Sequence, residues 1–87
     1  MQYARAIREF VVEEFLPDVP PAELEYEYDL LEHGVIDSLG LLKVIVWIED
    51  RYGIDTEKVD LRPESFRSVA AIDAFITHAS QQRTKSA

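Results

Sequence analysis

Apolar positions along the chain fall into three helical stripes joined by connections of very different length. From Tyr3 to Leu16 the apolar residues Tyr3, Ile7, Phe10, Val11 and Phe15 recur at spacings of three and four. That is one face of an amphipathic helix, with Arg5, Arg8, Glu9 and Glu13 on its other sides. Pro17 ends it, because proline cannot continue the hydrogen-bond ladder. Ser38 to Tyr52 reads as a second helix, apolar on nearly every side. A wheel at 100° per residue puts Leu41, Leu42, Ile45, Ile48 and Tyr52 on one face. Gly40, Lys43, Trp47 and Asp50 fall opposite, with Leu39, Val44 and Val46 on the flanks. In so small a chain, two apolar faces on one helix imply a partner for the second. A third stripe, Val69, Ile72, Phe75 and Ile76, follows Ser68, which suits an N-cap.

The segments between these stripes carry strong local signals. Pro17 to Asp37 holds three prolines and, before Asp37, six acids: Asp18, Glu23, Glu25, Glu27, Asp29 and Glu32. A loop of this length in a compact domain is usually functional. Leu24, Leu30, Leu31, Val35 and Ile36 can pin it across the helices, and a short turn is expected around Ala22 to Leu24. The alternation Glu25-Tyr26-Glu27-Tyr28 has no second strand to pair with and reads as loop. Gly34 and Gly53 suit backbone angles that other residues resist, Gly53 as a left-handed helix cap. Ile54 then packs back, residues 55–60 read as polar loop, and Arg62 to Phe66 as one short helical turn begun by Pro63. The expected fold is all-α: a small four-helix bundle with a long ordered first loop and a very short third helix. One domain spans residues 1–79, followed by a polar, frayed tail at 80–87.

Composition narrows the function. The 87 residues are 47% hydrophobic and 30% charged, which describes one small globular core. A formal net charge of −8 argues against nucleic acid, which needs a basic footprint, and points to basic protein surfaces. With no cysteine, disulfides and thiolate metal sites are excluded. The chain start lacks a signal-peptide pattern and no apolar run approaches a membrane span. A cytoplasmic, monomeric protein is therefore expected.

The candidate chemistry sits at Asp37-Ser38. Asp37 is a good N-cap, which places Ser38 at the positive end of the second helix with its hydroxyl toward solvent. Free amide hydrogens at such an end suit a phosphate group, so Ser38 is read as a serine built to carry a phosphoester. His33, five residues earlier, lacks a nucleophile elbow and an orienting third group, and reads as an exposed loop histidine rather than a catalytic base. His33 and His78 make no metal site at a recognisable spacing. Tyr26 and Tyr28 either pack the loop or line the approach to Ser38. The loop acids are a solvated surface or a loose divalent-ion contact.

The run Asp37-Ser38-Leu39 follows Leu30-Leu31 and Gly34 and leads into an apolar helix ending Asp50-Arg51-Tyr52-Gly53-Ile54. Together with Pro63-Glu64-Ser65-Phe66 and the helix after Ser68, it resembles the phosphopantetheine-dependent carrier proteins (acyl, peptidyl and D-alanyl carriers). The resemblance implies that Ser38 receives 4'-phosphopantetheine from coenzyme A through a magnesium-dependent phosphopantetheinyl transferase, with Asp37 helping that enzyme recognise the site. It implies a carrier rather than an enzyme, with no catalytic residue and no metal site of its own. Two residues, Val35 and Ile36, separate Gly34 from Asp37, as in D-alanyl and discrete aminoacyl carriers; fatty-acid carriers usually have one. Leu39, Lys43, Val46 and Trp47 are assigned to partner docking, Trp47 as an exposed contact. The expected cargo is an aminoacyl or small acyl thioester, loaded by an adenylate-forming ligase and presented to tailoring or condensing enzymes of a secondary-metabolite pathway. The alternatives are an acyl carrier of polyketide or fatty-acid synthesis, an unmodified helical interaction module, and a small hydrolase using Ser38.

Overall fold

A computed structural model describes residues 2–56 and 61–86, with side chains through residue 80. Three α-helices form the frame: α1 (Ala4–Phe15), α2 (Ser38–Tyr52) and α3 (Val69–Ser86). Two 3-10 turns, Pro21–Glu23 and Pro63–Phe66, punctuate the connections, and the described residues include no strand. The turn at Pro63–Phe66 stands where the very short third helix is expected, which leaves three α-helices among the described residues rather than four. Its hydrogen bonds run from Ser65 N to Arg62 O and from Arg67 N to Glu64 O, closing three-residue rings too tight for an α-helix. Helix α3 continues past the expected boundary at residue 79 to Ser86. Part of the polar loop expected at 55–60, and Ala87 of the tail, lie outside the described residues.

The helix ends follow local chemistry. α1 stops at Phe15, with Leu16 as its cap and Pro17 next. Gly53 closes α2 at φ +63°, its amide reaching Glu49 O at 3.0 Å. Ser68 Oγ accepts the Ala71 amide at 3.0 Å, as expected of an N-cap, and the Tyr26 carbonyl of the long loop accepts that of Ala70 at 2.8 Å. Two of α3's otherwise orphaned first-turn donors are thereby satisfied, one of them from a segment 44 residues away.

Each of the three helices contributes fully buried side chains to one core. Ile7 and Val11 come from α1, Val44 and Ile48 from α2, Ile72 and Ile76 from α3, with Leu30 and Phe66 from the connections. Full burial of each such side chain is worth about 1.5–3 kcal/mol. The long loop is pinned as anticipated, with Leu24, Leu30 and Ile36 buried and Leu31 and Val35 partly so. Its backbone is tied across the molecule by Leu30 N to Arg67 O at 2.6 Å. Beside it, the Arg67 guanidinium donates to Asp29 Oδ2 at 2.7 Å.

α2 is turned by close to a quarter-turn from its expected orientation. Gly40, Val44 and Ile48, at successive fourth positions, face inward, while Leu42 is 59% exposed. The cause is steric. A Cβ on Gly40 would lie 2.8 Å from Phe15 Cε1, so the missing side chain lets α1 press against this side of α2. A row of aromatic contacts extends the seam. Tyr52 meets Tyr3 at 5.0 Å and Trp47 at 5.6 Å, Trp47 stacks on Phe10 at 4.5 Å and 14°, and Phe10 meets Phe15 at 6.3 Å. The pairs Tyr3–Tyr52, Phe10–Trp47 and Phe15–Gly40 show that α1 and α2 run antiparallel. The C-terminal end of α1 thus lies under the first turn of α2.

Candidate functional site: the first turn of α2

The approach to Ser38 is built by a compact turn. Leu30 O accepts the amides of Val35 and Ile36 at 2.9 and 3.1 Å, and Gly34 makes the turn possible at φ +72°. Asp29 Oδ1 accepts the Leu31 and Glu32 amides, fixing the start of the same turn. The Glu32 amide above all, and then the Arg67 guanidinium, hold the Asp29 carboxyl below its ordinary range. Ile36 is buried just before the helix, and Leu41, partly buried in the same core, stands at the fourth helical position. These are the two positions of a hydrophobic staple, which sets the angle at which a chain enters a helix. Val35 and Ile36 are therefore structural anchors as well as spacers.

Asp37 caps the helix as expected. Its Oδ1 accepts the Gly40 amide at 2.8 Å and its carbonyl accepts that of Leu41 at 2.8 Å. The amides of Ser38 and Leu39 come before the first intrahelical bond and belong to the positive end of a 15-residue helix. Ser38 itself is exposed. An exposed hydroxyl at that end suits a phosphodiester, whose charge the dipole would favour by about 0.3–1 kcal/mol. Phe15, packed against Gly40, makes this turn part of the core rather than a free loop end.

Beyond Ser38 the surface is apolar. Leu39 is 67% exposed, Leu42 59% and Val46 57%, all on one side of α2. They border a groove of about 490 Å³ between α2 and α1, which Phe10 and Trp47 also line. Lys43 reaches across it to Glu14 at 3.8 Å, and Asp50 stands at its far end. Of the residues assigned to partner docking, Leu39, Lys43 and Val46 lie open on this surface. Trp47 is only half-buried: it stacks on Phe10, contacts Tyr52 and keeps a side on the groove. It belongs to the α1–α2 seam as much as to the surface, in contrast to the freely exposed contact expected. Leu42, expected on the core face, lies outside; hydrophobicity gives no signal for this, because the inward row Gly40-Val44-Ile48 is set by the packing of Gly40.

Other candidates resolve differently. His33 is exposed, stacks on Tyr28 at 4.5 Å, and has Nδ1 2.8 Å from Asp29 O. Tyr26 lies under the Arg8 guanidinium at 4.7 Å, and with its carbonyl on Ala70 it packs the loop onto the bundle. Among the described residues no group of three or more His, Cys, Asp or Glu could hold a metal ion, and no helix is long and apolar enough to cross a membrane.

Comparison with known proteins agrees with this geometry. A family model described as "Phosphopantetheine attachment site" matches residues 6–76. A structure of KstB-PCP in its apo form shares 59% sequence identity, with a TM-score of 0.82 over 92% of this chain and 88% of that one. A solution structure of KstB-PCP in kosinostatin biosynthesis shares 61% identity, with a TM-score of 0.68 over 91% and 89%. Among curated proteins no sequence matches. A family match over most of the chain, an all-helical fold shared with a peptidyl carrier protein and a capped helix start with an exposed serine agree: this chain belongs to the phosphopantetheine-dependent carrier proteins, non-catalytic domains that bear covalent 4'-phosphopantetheine.

Proposed function

We propose that Ser38 is the attachment residue and that the arm it bears carries an aminoacyl or small acyl group in a secondary-metabolite pathway. The observation that carries the reading is the exposed Ser38 hydroxyl at the start of α2, beside the cap Asp37 and inside the family match. The chain has no cysteine, so the thiol that holds the acyl group as a thioester comes from the arm. Asp37 holds the first turn and offers a carboxylate next to the hydroxyl, a handle for the phosphopantetheinyl transferase. Leu39, Lys43, Val46 and the open side of Trp47 serve as the docking surface for that transferase, an adenylate-forming ligase and later tailoring or condensing enzymes.

The aminoacyl reading draws support from three features. Val35 and Ile36 both take part in the turn before Asp37, so the longer spacing is built into the site. The similar KstB-PCP is described in kosinostatin biosynthesis. Lys43 on the open face also suits partners other than those tuned to an acidic helix. Intact mass after incubation with coenzyme A and a phosphopantetheinyl transferase reads attachment. Competition between amino-acid and fatty-acid ligases for the holo protein reads cargo: preferential aminoacylation is expected, and exclusive loading by the fatty-acid enzyme contradicts it.

A further inference from the structure

The groove between α1 and α2 begins at the residue after Ser38 and runs along α2 toward its C-terminal end. At 1.5 Å per residue, Val46, Trp47 and Asp50 lie roughly 12, 14 and 18 Å along the axis from Ser38. A phosphopantetheine arm has about the backbone length of five extended peptide units, so its thiol reaches roughly 16–18 Å. Arm and groove share an origin and a length.

The lining states what would be held there. Leu42 and Val46 offer exposed apolar surface, and Trp47 on Phe10 gives an aromatic side. Glu14 is paired with Lys43, which leaves the Asp50 carboxylate as the uncompensated formal charge of the lining. An anionic cargo would be repelled at that end, and a cationic one attracted.

We propose that this groove is the resting place of an apolar aminoacyl group on the chain's own arm, with its side chain against Val46 and Trp47 and its α-ammonium toward Asp50. The proposal rests on Ser38 as the attachment residue and names the class of cargo. Ligand and receptor are one molecule, so even weak contacts act at a high effective concentration. While it rests, the thioester is turned away from water, and a docking enzyme competes for the same apolar side chains.

The test loads the full chain, through a phosphopantetheinyl transferase that releases 3',5'-ADP, from phenylalanyl-coenzyme A or from the coenzyme A thioester of its deaminated analogue, 3-phenylpropanoate. Intact mass is recorded for every sample, followed by NMR of the Trp47 indole N–H and the Leu42 and Val46 methyls. The expected result is a shift of these signals on loading, larger for phenylalanyl by about two- to fivefold. Asp50→Asn should remove that difference, and Leu42→Glu, at an exposed position of the lining, should remove the Trp47 and Val46 shifts without unfolding the chain. A loaded protein whose groove signals stay as in the apo form overturns the proposal, as do equal shifts for the two groups. Groove shifts that depend on protein concentration in the apo form give the surface to a second copy, and also overturn it. A wild-type sample whose mass shows no arm refutes the Ser38 reading instead.

Discussion

Gly40 and Phe15 are in such close register that a methyl group on Gly40 would stand 2.8 Å from the Phe15 ring. This contact sets the first turn of α2 on the end of α1 and so fixes the position of Ser38. Alanine at position 40 would gain about 0.5–1 kcal/mol of helix preference. Overpacking against Phe15 costs about 1–3 kcal/mol, so Gly40→Ala should lose up to about 2.5 kcal/mol overall. The loss should shrink in a Phe15→Leu background, which a double-mutant cycle in denaturant measures. A Gly40→Ala protein more stable than wild type contradicts the steric account.

Asp37 serves two purposes that substitution can separate. Asp37→Ala removes the acceptor for the Gly40 amide and should cost about 1 kcal/mol of stability. Asp37→Asn keeps an acceptor and should leave stability almost unchanged. If the carboxylate is also a recognition handle, both variants should be modified more slowly by the transferase. A fully active Asp37→Asn limits the residue to capping.

The Asp29 carboxyl is held below its ordinary value of 3.8, first by the Glu32 amide and then by Arg67. A group with a depressed folded pKa stabilises the fold above its unfolded value, and that contribution is lost as pH falls through the folded value. The stability gap between wild type and Asp29→Asn should therefore be constant near neutrality and close below about pH 4. Arg67 is half-exposed, so added salt should narrow the gap as well. Denaturant midpoints across pH check both; a gap that widens in acid contradicts the assignment.

Trp47 reports on the seam between α1 and α2. Its stack on Phe10 and its half-buried state predict fluorescence intermediate between a core and a free indole. Phe10→Ala should move the emission to the red and cost about 1–3 kcal/mol, the aromatic pair supplying part of that. Emission already at the free-indole position in wild type contradicts the packing.

Much of this architecture is legible in local pattern. Asp37, Gly34, Gly53 and Ser68 each announce a helix end or turn through their own side chain, or the lack of one, and each does what that chemistry requires. The orientation of α2 is not legible by hydrophobicity alone, because Leu41 and Ile45 are apolar on one side and Leu42 and Val46 on the adjoining one. Only the contact of Gly40 with Phe15 decides between them. The links from Tyr3 N to Asp73 Oδ2 at 2.6 Å and from Arg67 to Asp29 join residues 70 and 38 positions apart, where no periodicity connects them. The candidate serine stands out because its signal is local: a cap, a hydroxyl and the start of an apolar helix. Its neighbour Leu42 was hidden because exposure is a property of the packed whole.

The central claim is that Ser38 bears the phosphopantetheine arm. Intact mass spectrometry of the full chain, after incubation with coenzyme A, magnesium and a broad-specificity phosphopantetheinyl transferase, tests it directly. The expected result is a single phosphopantetheine addition to wild type and none to Ser38→Ala, with both proteins showing the same helical spectrum. An unmodified wild type, or equal modification of Ser38→Ala, contradicts it.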